Sequence, residues 1–159
     1  MMTSIETYNV CKGIKGWEIT ANFSVGGFEW LGFSKVSPEK MIVISEQRTT
    51  LVDCNDGSVE DCEIVFDEQD LTAFCDRLPD EELDIVGQYG GELPQISGKG
   101  EKVFISTNDK HIMQIVFVGD DLSETLIYHS YDAYLCGFGH DGNYFVLADD
   151  GGILIMKRK

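Results

Sequence analysis

Short apolar runs closed by polar or glycine-containing turns organise this chain. Met41-Ile42-Val43-Ile44, Val103-Phe104-Ile105, Ile112-Met113-Gln114-Ile115-Val116-Phe117-Val118, Phe145-Val146-Leu147-Ala148 and Ile153-Leu154-Ile155-Met156 are rich in β-branched or aromatic residues, the signature of strands. Strands are therefore predicted over 40–45, 103–106, 112–118, 144–148 and 153–156. The runs are continuous instead of alternating, so these strands are expected to be covered on both faces.

A weak internal echo orders them. Gly32-Phe33-Ser34, then 40–45, a polar turn and Thr50–Asp53 line up with Gly137-Phe138-Gly139, then 143–148, the turn Asp149-Asp150-Gly151-Gly152 and 153–156. The same grammar recurs where 102–106 is followed by the turn 107–110, then 112–118, then a turn at 119–124 into 125–129. Three hairpins of one pattern predict a meander of antiparallel ribbons. Val25-Gly26-Gly27, between Trp17–Ser24 and Phe28–Phe33, reads as one more hairpin turn.

The stretch Gly137-Phe138-Gly139-His140-Asp141-Gly142-Asn143-Tyr144-Phe145-Val146-Leu147-Ala148 resembles the segment between the first two strands of a β-propeller blade. Leu51-Val52-Asp53-Cys54-Asn55-Asp56-Gly57-Ser58-Val59 resembles the turn that follows it. The resemblance implies blade-like hairpins. At roughly 40 residues per blade, 159 residues hold fewer than the four blades a closed propeller needs, so a layered antiparallel arrangement is expected in its place.

Residues 65–95 have a different character. Asp67-Glu68-Gln69-Asp70 precede Leu71, Phe74, Cys75 and Leu78, which fall at i, i+3, i+4 and i+7 ahead of Pro79. That spacing predicts a short helix near 70–78 with acids at the positive end of its dipole. The fold class expected is thus mainly β, antiparallel hairpins in a blade-like meander with one short helix, and α+β is the alternative. Residues 1–159 are expected to form a single globular domain.

Composition adds what the pattern cannot. Apolar residues at 43% and aromatics at 11% suit a packed globule, not a disordered acidic chain, and the length is enough to bury about two thirds of the unfolded surface. No apolar run approaches the ~20 residues that span a bilayer, and the first residues lack a basic start followed by an apolar core, so a cytoplasmic protein away from membranes is expected. Cys11, Cys54, Cys62, Cys75 and Cys136 are odd in number and have neither CxxC nor zinc-finger spacing. A hairpin about Asp56-Gly57 sets residue 54 opposite 59 and residue 62 opposite 51, which puts Cys54 and Cys62 on opposite faces. Five reduced, mostly buried thiols are expected, with no metal site and no cofactor.

Charge is the most concentrated feature. Asp53 to Glu92 holds fourteen carboxylates against one cation, Arg77, a charge of −13 out of −16 for the chain. Such a field repels nucleotides and nucleic acids, and Gly87-Gln88-Tyr89-Gly90-Gly91 has neither the spacing nor the lysine of a phosphate loop. Asn55-Asp56-Gly57, Asp120-Asp121 and Asp149-Asp150-Gly151-Gly152 miss the alternation of a calcium loop and read as turns.

Two function classes follow. The first is a non-catalytic acidic binding protein that presents 53–92 to a basic protein partner, similar in charge and size to inhibitors such as bacterial immunity proteins. Its binding residues would be Asp80, Glu81, Glu82, Asp84, Tyr89, Glu92 and Leu93, with Tyr89 and Leu93 as desolvated anchors. The second is a small enzyme or ligand-binding domain with a pocket near Cys136, His140 and His129, where a thiol or hydroxyl would have a base beside it. Against catalysis, Cys136 lies in the apolar run Tyr134–Phe138 and His140-Asp141-Gly142 reads as a turn. A soluble domain whose acidity serves only solubility is the remaining alternative.

Overall fold

The computed structural model describes residues 14–130 and 133–159. In chain order the strands are β1 (Trp17–Ser24), β2 (Phe28–Phe33), β3 (Lys40–Ser45), β4 (Thr49–Asp53), β5 (Ser58–Asp61), β6 (Ile64–Asp67), β7 (Thr72–Cys75) and β8 (Leu78–Asp84). They continue as β9 (Val86–Gly87), β10 (Lys102–Thr107), β11 (Met113–Val118), β12 (Glu124–Ser130), β13 (Ala133–Phe138), β14 (Tyr144–Asp149) and β15 (Gly152–Arg158). Among the described residues these form four antiparallel sheets: sheet I, β10-β11-β12; sheet II, β1-β15-β14-β13; sheet III, β5-β4-β3-β2-β9; and sheet IV, β6-β7-β8.

Three apolar cores lie between neighbouring sheets in the order I, II, III, IV. Phe145, Leu147, Leu154 and Met156 of sheet II meet Val103, Ile115, Phe117 and Ile127 of sheet I. The alternate residues of the same strands, Val146, Ala148, Ile153 and Ile155, meet Leu31, Phe33, Met41, Val43 and Val52 of sheet III. Ile42, Ile44 and Leu51 then point the other way, onto Ala73, Cys75 and Leu83 of sheet IV. Period-2 alternation thus sends successive apolar side chains into different cores, which is why the runs at 41–44, 145–148 and 153–156 have no polar positions. Each such side chain contributes about 1.5–3 kcal/mol by leaving water. Among the described residues no apolar core joins sheets I and IV, and no sheet closes into a barrel.

The hairpin echo corresponds to equivalent strands: β2-β3-β4 in sheet III and β13-β14-β15 in sheet II. Three details depart from expectation. Val25-Gly26-Gly27 is not a hairpin turn, because β1 pairs with β15 and β2 with β3. The chain steps there from one sheet to the next, and the Val25 and Phe28 amides bond to the carbonyls of Gly151 and Asp150. The β4-β5 hairpin does turn at Asp56-Gly57, with Gly57 at φ 76° and the Ser58 amide on Asp56 Oδ1 at 2.9 Å. Its register sets Val52 opposite Val59, two residues from the expected pairing. A two-residue shift keeps every side chain on its face, and Cys54 and Cys62 do lie in different cores. Cys54, Cys62, Cys75 and Cys136 are free and buried, while Cys11 lies outside the described residues.

The third departure is the expected helix near 70–78, which is a turn, strand β7 and a second turn. Asp67 Oδ1 accepts from the amides of Gln69 at 2.8 Å and Asp70 at 3.1 Å, Leu71 takes φ 56°, and β7 pairs on both sides, with β6 and β8. A helix here would have buried Phe74 with Leu71 and Cys75. As a strand, the segment buries Ala73 and Cys75 and turns Phe74 outward.

Candidate functional site

The acidic segment builds the end of the stack. Sheet IV lies wholly within 53–92, and its inner face, Ile64, Phe66, Ala73, Cys75, Leu78 and Leu83, seals the last core against Trp30, Ile42 and Ile44. The outer face is uncovered. Val65 and Phe74 are direct cross-strand partners there and are 74% and 54% exposed. Strand parity places Glu63, Asp67 and Asp84 on the same outer face, all exposed. Carboxylates thus border an apolar pair on an open sheet face.

The residues expected to bind a partner divide by environment. Asp80, Glu82 and Glu92 are exposed. Glu81 has a structural task, accepting from the Ser34 hydroxyl at 2.5 Å and the Lys35 amide at 2.9 Å, which ties β8 to the β2-β3 loop. Asp84 is paired with Lys35 Nζ at 2.9 Å, both largely exposed, a contact worth under about 1 kcal/mol. Tyr89 is 75% exposed, its ring centroid 6.4 Å from that of Trp30. Leu93 is only 9% exposed and packs in the core between sheets II and III, so it cannot serve as a surface anchor. Sequence reasoning missed Val65 and Phe74. The signal was present in the alternation of 64–67 and 72–75, but the helical spacing of Leu71, Phe74, Cys75 and Leu78 masked it.

A cavity of about 250 Å³ brings Asp84, Glu92 and Leu93 together with His140. Its walls are Gly32, Phe33, Val86, Pro94 and Phe138. The lining is mainly apolar, and the Asp84 carboxylate is already paired with Lys35.

Of the alternative pocket near Cys136, His140 and His129, the described side chains are those of Cys136 and His140. Cys136 is buried in the core between sheets I and II, and burial pushes its thiol up to about 12, so it carries no thiolate at neutral pH. The cavity lined by His140 excludes Cys136. His140 Nε2 lies 3.2 Å from the Phe33 carbonyl oxygen, which can only accept. The side chain of His129, with Asp132 and Tyr131, lies outside the described residues. Cys54 is likewise pushed up to about 12, by burial and then by the charges of Asp53 and Glu39.

No helix among the described residues is long and apolar enough to cross a membrane. No family model matches the chain, and no characterised protein or solved structure matches it either.

Proposed function

We propose that the chain is a non-catalytic acidic binding protein, inhibitor-like in its mode of action, that presents the outer face of sheet IV to a basic protein partner. The observation that carries this reading is the exposed Val65–Phe74 pair at the centre of the segment that holds −13 of the chain's −16 charge. Carboxylates around such a pair accelerate encounter with a basic surface and select it, while the apolar centre supplies the desolvated contact that holds the complex.

The test begins with partners captured from native lysate at low ionic strength and continues with association and dissociation rates for the captured protein. Phe74→Ser and Val65→Ser are expected to accelerate dissociation at least about tenfold, the scale of one lost interface anchor, while changing fold stability by no more than about 1 kcal/mol. Asp80→Ser with Glu82→Ser should instead slow association, most at low salt where screening is weakest. These two acids are chosen because Glu81 and Asp84 hold Ser34 and Lys35. A captured partner that is acidic, or rates unmoved by all four substitutions, would end this reading and leave solubility as the role of the charge.

A further inference from the structure

The end of β7 carries a second constellation. Among the described residues, Cys62, Cys75 and Asp76 form a group whose ligating atoms, two sulfurs and a carboxylate oxygen, lie within 4.8 Å of one another. The two cysteines are thirteen positions apart in sequence, and only the pairing of β6 with β7 brings them together.

The backbone around the group is held from both sides. The Cys62 amide donates to the Thr49 carbonyl at 3.1 Å, and the Thr49 hydroxyl donates to the Cys62 carbonyl at 2.6 Å. The Glu63 amide donates to Asp76 Oδ1 at 3.0 Å, and the Asp76 amide returns a bond to the Glu63 carbonyl at 3.0 Å. This leaves Asp76 Oδ2 free of the amide contact. Cys75 is buried, Cys62 is 9% exposed and Asp76 is exposed, so the group opens to solvent on its carboxylate side.

We infer that Cys62, Cys75 and Asp76 form a binding site for one thiophilic divalent cation of the zinc class. Two sulfurs select against calcium and magnesium, which require oxygen. A tetrahedral ion with sulfur at about 2.3 Å and oxygen at about 2.0–2.2 Å holds its ligand atoms roughly 3.4–3.8 Å apart, a closure of at most about 1.4 Å from the 4.8 Å limit here. The fourth position falls to water on the open side. On binding, two S–H bonds break, two S–metal bonds form and two protons leave to solvent, so affinity falls on acidification by up to about 100-fold per pH unit. The surrounding carboxylates raise the local cation concentration. The site is independent of the partner surface, since Val65 and Phe74 contribute nothing to it.

The test is titration of the reduced, chelator-treated full chain with Co²⁺, then Zn²⁺. One equivalent of Co²⁺ should produce a thiolate-to-cobalt charge-transfer band that Zn²⁺ removes. Asp76→Asn, a change at an exposed position, should weaken Co²⁺ by at least about tenfold, the scale seen when a supporting group of a metal site is lost. Cys62→Ser and Cys75→Ser should abolish the band, and Cys136→Ser should leave it. Where a cysteine variant fails to fold, alkylation of the unaltered chain decides: Zn²⁺ should protect Cys62 and Cys75 selectively. Absence of the band, a band unmoved by Asp76→Asn, or alkylation unaffected by Zn²⁺ overturns the site. So does a mass two hydrogens short that maps to a 62–75 disulfide in the protein as isolated, which would make the pair a redox couple.

Discussion

Arg158→Ala is expected to destabilise the fold by about 3–5 kcal/mol, the scale for removing one partner of a buried ion pair. The Arg158 guanidinium forks onto Glu101, contacting Oε2 with one nitrogen and Oε1 at 2.8 Å with the other, and it also donates to the Gly142 carbonyl at 2.8 Å. Its plane lies 4.7 Å from the Trp17 ring centroid. Ser97 Oγ donates to Glu101 Oε1 at 2.6 Å, so the carboxylate clasps β15 to the loop that precedes β10. Glu101 is only 6% exposed, and without Arg158 it would remain as a buried charge.

The same pair predicts a pH dependence. Burial alone would raise the Glu101 carboxyl, but hydrogen bonds from Arg158 and Ser97, and the charge of Arg158, outweigh it and bring the group to about 2 from the usual 4.5. A carboxyl lowered on folding adds stability that is complete above its unfolded value of 4.5 and is lost as pH falls through 4 and 3 to about 2. The shift corresponds to about 3 kcal/mol. Urea unfolding of the unaltered chain and of Glu101→Gln, at pH 7, 4 and 2.5, should show a difference that shrinks with acidification. A constant difference, or an Arg158→Ala midpoint unchanged at pH 7, would show the pair to be energetically idle.

Phe145→Ala is expected to cost a similar 3–5 kcal/mol, by lost transfer energy and by the cavity left behind. Phe145 is fully buried, and its ring meets those of Phe117 and Phe138 edge to face at 5.6 and 5.3 Å, geometry that adds about 0.5–1.5 kcal/mol per pair beyond burial. Because this cluster joins sheets I and II, the loss should appear as a shifted urea midpoint for the whole chain. Phe74→Ala, the same deletion on the open face, should shift it by no more than about 1 kcal/mol. Equal effects would contradict the assignment of inner and outer faces.

The strands at 40–45, 144–148 and 153–156 were legible because a strand with a core on each side has no choice but to be apolar at every position. Those at 103–106 and 112–118 were legible from equally continuous apolar runs, but the expected cover on both faces is not there: among the described residues sheet I has a core on one face, and Phe104 and Ile105 are each 44% exposed. Their hairpin partners followed from short polar turns, and the freedom of Cys54 and Cys62 from each other followed from parity alone. The concentration of charge in 53–92 needed only counting. Where that charge would sit needed the fold. At 70–78 the local spacing fitted a helix, and the competing preference, a strand with partners on either side, draws its stability from residues 64–67 and 78–84 that no window around Phe74 contains. Leu93 looked like an anchor among acids because sequence cannot show that Pro94 and Gly137 bring that segment against sheet II, where a Cβ on Gly137 would meet Leu93 at 2.5 Å. The Cys62–Cys75–Asp76 group was invisible for the same reason: its spacing is set by strand register, and register is fixed by which side chains the neighbouring sheets can bury. Sequence thus determined which segments are strands and how charge is distributed along them, while only tertiary packing decided which face of each strand meets water.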